Sequence, residues 1–504
     1  MPSHLEVEST FDLGADTALP ELGAAVPDAR LGEPATHTLK AVYYDTADLR
    51  LAARRVTLRR RTGGTDAGWH AKRPAERGRR EIQVPLGRST GVVPAALRAE
   101  LAAITRGRAL QPIARVRTER TEYPVLAPDG TVLALVADDR VTSEVLGEDL
   151  LSQQWREVEV ELVEGDDEVL VALAGALEAG GATPAVVGSK LARTLGERLP
   201  AVPAPGRGAG ALITAYLRAQ RDAIVANEPG VRSGDPDAVH DMRVAIRRLR
   251  STLRTFRPVL DDAASEPLRA ELKWLANLLG PVRDSDVMTT RLTEAVGELP
   301  AELILGPVDE QLAGYLAADA GPARKQLDRE LAGGRFFALL DAVDEQVDTP
   351  VRAGARKLRR LAAAALDRAD RELAEGDPDR VPPATRRLPT PEPEREARLH
   401  HARRLYKRAR YAAEALAPLD PKPARKLVRR LTALQDVLGT HQDSVVTGEL
   451  LLRLAARAER DGASGFTYGV LAVEQRLAGA AVLHGLPAAA RRAAAGKVRD
   501  WLAD

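Results

Sequence analysis

The pattern of hydrophobic and polar positions changes its period near residue 200. Up to about residue 165 the chain shows short runs in which apolar and polar residues alternate, and these predict β-strands with one buried face. Turn signals such as TGGTDAG and APDG separate the runs, as antiparallel hairpins require. The predicted strands are LEVEST (5–10), AVYYDT (41–46), VTLRRRT (56–62), REIQVPL (80–86), ARVRTERTEY (114–123), TVLALVADDRV (131–141) and REVEVELVEG (156–165). PAALRAELAAIT (94–105) and DEVLVALAGALEAG (167–180) predict helices between the strands.

Helical periodicity dominates from residue 211 to residue 504. The Pro-, Gly- and Ala-rich segment at 201–210 predicts a linker between the two regions. The Pro-rich charged stretch 376–394 predicts a flexible loop inside the helical region. The chain is therefore expected to be a multidomain α+β protein, with an antiparallel β domain at 1–200 followed by an all-α domain.

The helical region contains an internal repeat. HDMRVAIRRLRSTLRTFR (240–257) and HHARRLYKRARYAAEAL (400–416) each begin on a histidine, with basic residues three, seven, eight and ten places further on. LGPVRDSDV (279–287) and LGTHQDSVV (438–446) follow them at nearly matched spacing. This order predicts a duplicated helical bundle with halves at about 211–375 and 395–504.

Each repeated helix is predicted to carry a basic stripe opposite an apolar face. Surface helices usually mix charge signs, because like charges one turn apart repel. A single-sign row therefore favours a linear polyanion over the alternative, a solvated surface helix. The first stripe is His240, Arg243, Arg247, Arg250 and Arg254, opposite Met242, Ile246, Leu249, Leu253 and Phe256. The second is His400, Arg403, Lys407 and Arg410, opposite Ala402, Tyr406, Ala409, Ala413 and Leu416.

The basic stripes have no aromatic residues on the charged side, whereas nucleic-acid grooves commonly add aromatic platforms for bases. A phosphate polymer without bases, inorganic polyphosphate, needs only charge and hydrogen-bond donors. Protonated His240 and His400 would suit that role. The alternative for both histidines is a hydrogen bond at a helix N-terminus.

The second repeated motif differs between the halves. We expect His441 and Gln442 where the first half has Arg283 and Asp284, and no second acid in place of Asp286. Asp284 and Asp286 are interpreted as braces or caps for arginines, with Mg²⁺ coordination as the alternative.

Charged residues alternate along several predicted strands of the β domain. On a strand, residues two apart face the same side. A sheet with acids and arginines on one face, closed into a barrel, gives a tunnel for a divalent metal and phosphate. An open sheet with a solvated polar face is the alternative. The alternating sets are Glu6, Glu8 and Thr10; Glu157, Glu159 and Glu161; Arg59 and Arg61; and Arg115 and Arg117.

Composition limits the classes of function. The formal net charge of the 504 residues is +1, from 73 basic and 72 acidic residues, so any basic site is local. The chain has no cysteine, which excludes disulfides, thiolate metal sites and cysteine nucleophiles. We find neither a signal peptide nor an apolar stretch long enough to span a bilayer, and expect a cytoplasmic protein; a location on polyphosphate granules stays open.

The motifs VHDMRVAIRRLRSTLRTF, LKWLANLLGPVRDSDV and LHHARRLYKRARYAAEAL resemble the signature stretches of the CHAD family, over about 211–504. The resemblance implies two pseudo-symmetric helical bundles. It also implies that inorganic polyphosphate binds in a basic cavity lined by the two repeated helices.

The β domain resembles the CYTH family of triphosphate tunnel enzymes over 3–200, through YYDTADLRLAARRVTLRRR, WHAKRP, RREIQVPL, WREVEVEL and SKLAR. The resemblance implies an eight-stranded antiparallel barrel that binds triphosphate and hydrolyses it with Mg²⁺ or Mn²⁺. It implies Glu6 and Glu8 as catalytic metal ligands, together with Asp138, Glu159 and Glu161. It implies phosphate contacts from Arg59, Arg61, Lys72, Arg115, Arg117 and Lys190.

One departure bears on catalysis. The family's opening signature is Glu-x-Glu-x-Lys, and this chain has Thr10 at the lysine position. Loss of an electrostatic donor in a dry site weakens transition-state stabilisation. Three hypotheses follow: a polyphosphate-binding protein with little or no turnover, an active metal-dependent triphosphatase or short-chain polyphosphatase, and an adaptor that binds RNA or the ribosome. The oligomeric state is not determined by these patterns.

Overall fold

The computed structural model describes residues 3–75, 77–87, 91–147, 152–201, 206–379 and 392–503. Within it the chain forms two compact units, Met1–Val202 and Pro203–Asp504. Residues 202–205 of the predicted linker and residues 380–391 of the predicted Pro-rich loop lie outside the described residues.

In its described residues, the N-terminal unit is built on one antiparallel sheet of eleven strands. The strands are β1 (Ser3–Glu6), β2 (Glu8–Asp12), β3 (Arg30–Leu31), β4 (Ala35–Asp45), β5 (Thr57–Thr62), β6 (Gly68–Pro74), β7 (Arg79–Pro85), β8 (Gln111–Leu126), β9 (Val132–Val145), β10 (Ser152–Leu162) and β11 (Thr183–Pro184). The sheet order is β1-β7-β6-β5-β4-β8-β9-β10-β2-β11, with β3 paired to β8.

The two ends of this sheet meet through one stretch of chain. Strands β1 and β2 are separated by Val7 alone, and β1 pairs with β7 while β2 pairs with β10. The main chain therefore passes from one edge of the curled sheet to the other. With β1 and β2 taken as one interrupted strand, and the two-residue strands β3 and β11 set aside, eight strands remain, as predicted.

Among the described residues of this unit, four α-helices accompany the sheet: α1 (Ala95–Glu100), α2 (Ala102–Thr105), α3 (Asp167–Ala179) and α4 (Lys190–Leu195). Helix α3 covers one end of the sheet, where Leu173 and Leu177 are fully buried against Val158 and Val160. The seven strands predicted as alternating runs are all present. Strand β6 was not predicted, because Gly68, His70, Lys72 and Pro74 give it a low strand propensity.

The C-terminal unit is all helical in its described residues. Its α-helices are α5 (Gly210–Ser233), α6 (Pro236–Thr255), α7 (Asp262–Gly297), α8 (Val308–Leu331), α9 (Gly334–Asp348), α10 (Ala355–Glu375), α11 (Pro393–Leu416), α12 (Pro421–Arg460), α13 (Phe466–Val482) and α14 (Leu486–Ala494). None of the described helices combines the length and apolar composition needed to cross a membrane.

The apolar faces of the two repeated helices are buried as predicted. Helix α6 starts at an Asp235 N-cap with Pro236 in its first turn, both favourable for helix initiation. The five predicted apolar residues of α6 are all 0% exposed, and those of α11 are at most 2% exposed. Helices α6 and α11 also pack against each other. This packing fixes which face of each helix can carry charge.

The packing between helices bears on the predicted repeat of the helical unit. Helix α10 packs against α11 as α5 packs against α6, and short 3-10 turns connect α6 to α7 and α11 to α12. This packing pairs α10 with α11, whereas the predicted halves, 211–375 and 395–504, separate these two helices at the Pro-rich loop. The division into these halves stays a prediction.

Candidate functional site

The N-terminal unit contains a cavity of about 310 Å³ enclosed by the curled sheet. Glu6, Glu8 and Thr10 reach it from β1 and β2, and the three alternating glutamates of β10 reach it from the neighbouring strand. The prediction that these two sets face one side is correct. The charged described residues that line the cavity are His4, Glu6, Glu8, His37, Arg59, Arg61, Asp66, Lys72, Arg79, Glu81, Arg120, Glu122, Glu157, Glu159, Glu161 and Lys190.

We call this cavity the tunnel. One acidic part of it lies where β2 pairs with β10. Glu8 and Glu161 are directly opposite in the strand register. Burial raises the pKa of Glu161, and the nearby Glu8 carboxylate adds to this. Two facing carboxylates at the edge of a buried cavity suit a divalent cation, whose charge would offset their repulsion.

Glu6 lies beside Lys72 and Glu81. The Lys72 Nζ atom is 2.6 Å from Glu6 Oε2. Burial raises the pKa of Glu6 to about 7, in opposition to the Lys72 charge. His4, Glu6 and Glu81 offer ligand atoms within 4.8 Å of one another, so this end of the cavity has donors that fit a metal ion.

Lys190 and Glu159 form a separate cluster of paired charges. Lys190 Nζ lies 2.7 Å from Glu159, 2.6 Å from Glu157 and 2.9 Å from Asp139. Against the effect of burial, the charges of Lys190 and Arg120 hold the pKa of Glu159 well below its usual range. An ammonium group has three donors, and here each meets a carboxylate. Lys190 thus stands where Asp139, Glu157 and Glu159 could otherwise hold a metal ion.

Three of the predicted phosphate contacts line the cavity, and two of them are paired with carboxylates. Arg59 and Arg61 project from β5 and Lys72 from β6. Arg61 pairs with Asp66. Burial, with Arg59 and Arg120 nearby, lowers the pKa of Arg61 to about 9. A buried cation with a lowered pKa gains from an anionic ligand.

Two other predicted phosphate contacts do not reach the cavity. The side chains of Arg115 and Arg117 are 63% and 58% exposed, and they lie near Glu144 and Glu119. Val116, Thr118 and Arg120 line the cavity instead. The predicted facing of β8 is wrong by one residue, and such a shift moves every side chain to the opposite face. Val116, the apolar residue of this run, was the signal for the correct facing.

Asp138 does not lie at the predicted metal site, because the prediction for β9 was also wrong by one residue about which side chains face the cavity. It forms a bidentate pair with Arg156, with both distances 2.8 Å. Asp139 is fully buried and faces Arg120 and Lys190 instead. The sequence Ala-Asp-Asp-Arg has two adjacent acids, and alternation alone did not indicate which of them points inward.

The C-terminal unit contains a cavity of about 330 Å³ between α6, α7, α10 and α11. Both repeated helices contribute to it, as predicted. Among the described residues that line it, seven are arginines, one is a lysine and none is an acid. These cations are Arg247, Arg250, Arg254, Arg269, Arg368, Arg404, Lys407 and Arg408.

The predicted stripe of α6 lies partly in this cavity. Arg247, Arg250 and Arg254 line it. Arg243 lies further towards the start of the helix, where its Nη1 atom donates to Asp284 at 2.8 Å and to the Gly280 carbonyl at 3.2 Å. Asp284 therefore braces an arginine, which favours that interpretation over metal coordination.

The brace has a counterpart in the second half. Arg403 lies 3.7 Å from Asp443 and packs against Gly439, as Arg243 does with Asp284 and Gly280. Asp443 therefore occupies the position of Asp284. The expectation that His441 and Gln442 stand for Arg283 and Asp284 was wrong by one residue; His441 is buried, with Nδ1 3.0 Å from the Gly479 carbonyl oxygen.

The lining face of α11 is rotated from the predicted stripe. Lys407 lines the cavity, but Arg403 and Arg410 do not; Arg404 and Arg408 take their places. Glu414 explains the difference, because it stands at the position equivalent to Arg254. It binds Arg410 at 3.1 Å, Arg248 at 3.2 Å and the Tyr216 hydroxyl at 2.9 Å.

The predicted histidines lie beside the row and do not line the cavity. Burial and neighbouring arginines lower the pKa of both His240 and His400. Protonated histidines at neutral pH are therefore not favoured. Neither residue lies in the first turn of its helix, so the N-terminal alternative does not apply.

Four cavity arginines were missed by the stripes. Arg269 comes from α7 and Arg368 from α10, while Arg404 and Arg408 come from α11. Arg404 and Arg408 are also separated by about one helical turn. The sequence of α11 was therefore compatible with a second basic face, which the prediction did not consider. Nothing in the local pattern of α7 or α10 indicates that they close this cavity.

The cations of the cavity destabilise one another. Burial, with Arg403 and Arg247 nearby, lowers the pKa of Lys407 to about 7. Burial, with Arg254 and Arg368 nearby, lowers the pKa of Arg408 to about 10. The buried Nε atoms of Arg247 and Arg250 have no hydrogen-bond partner among the described residues. The site is arranged for an anionic ligand.

Comparison with known proteins gives matches to both units. The sequence profile of the CYTH domain matches residues 4–179 and that of the CHAD domain matches residues 215–452. An uncharacterised protein of Mycobacterium tuberculosis is 34% identical over 496 residues, which cover 93% of this chain and 92% of that protein.

Two solved structures are similar to part of the chain. PptA from Streptomyces chartreusis is 26% identical, with a TM-score of 0.47, and the match covers 57% of this chain and 99% of that one. The CHAD domain from the plant Ricinus communis is 25% identical, with a TM-score of 0.43, and the match covers 57% and 93%.

The repulsion within the cavity predicts a stabilising substitution. Because the folded state disfavours the charge of Arg408, Arg408→Gln is expected to raise the melting temperature of the ligand-free protein by about 2–4 °C. The measurement is differential scanning calorimetry at low salt. The matched change Arg243→Gln removes a pair with Asp284 and is expected to leave the melting temperature unchanged or lower. An equal rise in both variants would contradict the interpretation.

Proposed function

The chain belongs to the family of proteins that join a CYTH domain to a CHAD domain, and we propose that its helical unit binds inorganic polyphosphate. The observation that carries the proposal is the cavity between α6, α7, α10 and α11, which has eight cations and no acid among its described lining residues. A cavity of one charge sign is stabilised by an anion of high charge density. Polyphosphate has one negative charge on each internal phosphate and no bulky side groups.

The geometry of the cavity favours a thin polymer over a nucleic-acid duplex. Its cations point into a space of about 330 Å³ enclosed by four helices. Duplex RNA is recognised across its wide minor groove and needs an exposed surface of cations. A phosphate chain can instead enter between the helices and bring its oxygens to arginines on opposite walls.

Charge reversal tests the binding site. Arg247→Glu and Lys407→Glu, from opposite walls of the cavity, are each expected to weaken polyphosphate binding by at least about tenfold, because each replaces a cation with a repelling carboxylate. Arg429→Glu on the exposed face of α12 is the matched control, with little expected change. The measurement is fluorescence titration with long-chain polyphosphate, with duplex RNA as competitor. Equal weakening by the control, or tighter binding of the RNA, would reject the proposal.

Lys407 makes the binding dependent on pH. Its pKa is about 7 in the ligand-free protein, and a bound polyanion would raise it again. Above pH 7 binding must therefore take up a proton, and affinity is expected to fall by up to about tenfold per pH unit. Below pH 7 the lysine is already charged and this dependence disappears.

The proton uptake can be measured directly. Calorimetric titrations at pH 8 in two buffers of different ionisation enthalpy are expected to give different heats for the wild-type protein. Lys407→Arg keeps the charge at all these pH values, so its heats are expected to agree between buffers. Agreement for the wild-type protein would show that Lys407 does not titrate on binding.

For the N-terminal unit, we propose that the tunnel binds triphosphate with Mg²⁺ or Mn²⁺. Glu8 and Glu161, with Glu6 beside them, would hold the metal ion. Arg59, Arg61 and Lys72, which also line the tunnel, would hold phosphate oxygens. The bound metal would supply positive charge to the phosphate oxygens. Lys190 and Glu159 bind each other, so their main role in this proposal is to stabilise the structure of the tunnel.

We propose that the tunnel hydrolyses triphosphate slowly. Thr10 lies opposite Glu159 in the strand register, and Lys190 already binds that glutamate. The position therefore has a hydroxyl where a lysine would present a free cation to the substrate. The second candidate function is an active triphosphatase, favoured by the facing Glu8 and Glu161 carboxylates, which remain available for a metal ion.

A lysine at position 10 separates these two functions. With Mg²⁺ or Mn²⁺, the wild-type protein is expected to release phosphate from triphosphate slowly, and Thr10→Lys to release it at least about tenfold faster, as expected for one electrostatic donor. Glu6→Gln is expected to abolish what activity there is. Fast release by the wild-type protein that Glu6→Gln abolishes would establish the active enzyme and reject slow turnover.

A further inference from the structure

A histidine lies at the edge of the cationic cavity, one residue after the predicted His400. His401 lines this cavity, whereas His240 and His400 are not among its described lining residues. Its Nδ1 atom is 3.0 Å from Glu372 Oε1 on α10. The Glu372 side chain is 19% exposed and that of His401 is 41% exposed. The imidazole is thus fixed from behind by a half-buried carboxylate while it remains accessible to a ligand in the cavity.

The Glu372 carboxylate faces Nδ1 of His401 at 3.0 Å. A carboxylate accepts and does not donate, so this contact favours the neutral tautomer that has its proton on Nδ1. The Nε2 atom, on the other side of the ring, then has a lone pair and is turned away from Glu372. A histidine held in one tautomer by a carboxylate is the arrangement in which enzymes use imidazole as a base or nucleophile.

We propose that His401 accepts a phosphoryl group from polyphosphate bound in the cavity and becomes phosphohistidine. This inference rests on the proposed binding of polyphosphate. It adds a phosphoryl-transfer step to that binding and places the acceptor in the helical unit, separate from the tunnel.

The step balances with polyphosphate as the sole co-reactant. The Nε2 lone pair attacks the terminal phosphorus of the chain and forms a nitrogen–phosphorus bond. The bond from that phosphorus to its bridging oxygen breaks, and the electron pair stays on the oxygen, which becomes the new terminus of a chain one phosphate shorter. The Nδ1 proton stays in place, so the positive phosphoimidazolium ring remains paired with the Glu372 carboxylate.

The neighbouring cations supply what the transfer needs. Phosphoryl transfer depends mainly on positioning and on stabilisation of charge on the phosphate oxygens. Arg404 and Arg408 lie one and two turns along the same helix as His401 and line the same cavity, and Arg368 lies on α10 one turn before Glu372. These guanidinium groups can bind both the transferred group and the departing oxygen.

The experiment measures labelling and binding on the same samples. The full-length protein is incubated with long-chain polyphosphate, unfolded in alkali, and examined by intact-protein mass spectrometry and ³¹P NMR. We expect up to one phosphoryl group per chain, stable in alkali and lost in acid as a nitrogen–phosphorus bond requires. Polyphosphate affinity is measured separately by fluorescence titration.

Three variants separate the possible roles. His401→Asn is expected to lose the label but keep polyphosphate affinity within about fivefold, since one exposed contact is removed. Glu372→Gln is expected to slow labelling by at least about tenfold, because the ring loses the carboxylate that favours a proton on Nδ1. His400→Asn, the adjacent control, is expected to label like the wild-type protein.

The outcomes distinguish this inference from the proposed function. Normal binding without label, or a label that persists in His401→Asn, would overturn the inference and leave polyphosphate binding intact. Absence of binding in the wild-type protein would overturn both. An unchanged labelling rate in Glu372→Gln would show that the pair with Glu372 has no part in the transfer, contrary to the proposal.

Discussion

The helical unit depends on a balance between buried apolar packing and repulsion among cations. Helices α6 and α11 are held by side chains such as Leu249 and Leu416 that are 0% exposed. Burying side chains of this size contributes about 1.5–3 kcal/mol each. Like charges one turn apart oppose folding by a few tenths of a kcal/mol per pair on an exposed helix. The apolar faces can therefore hold a row of cations that has no acid of its own within the cavity.

The tunnel of the N-terminal unit handles charge differently. Its acids and cations alternate around the sheet and neutralise one another, as in the pairs Lys72–Glu6 and Arg120–Asp139. Buried ion pairs of this kind are costly to disrupt. The consequence is a preformed and nearly balanced lining, in which the facing Glu8 and Glu161 remain as a site for added positive charge. The cavity of the helical unit differs, because its lining is cationic and would be stabilised by added negative charge.

The two helical repeats differ in charge at one position beside the cavity. Where α6 has Arg254, α11 has Glu414, and this glutamate binds Arg248, Arg410 and Tyr216. The fourth cation of the row is thereby replaced by an acid that joins α5, α6 and α11. Arg404 and Arg408 line the cavity from a neighbouring face of α11 instead. The braces Arg243–Asp284 and Arg403–Asp443, by contrast, are retained in both halves.

Local periodicity in the sequence predicted the secondary structure and many of the residues that line the two cavities. Period-two alternation placed Glu6, Glu8, Glu159 and Glu161 on one side of their strands, and the helical period separated the leucines of α6 from its arginines, because each periodicity follows from backbone geometry alone. Packing between strands settled which of two adjacent residues faces inward, as with Asp138, which pairs with Arg156, and Asp139, which pairs with Lys190. In runs where both faces carry charge, the phase of a strand is set by its neighbours. Arg269 and Arg368 entered the cavity for the same reason: contacts between helices distant in sequence bring them there, and no local pattern records such contacts.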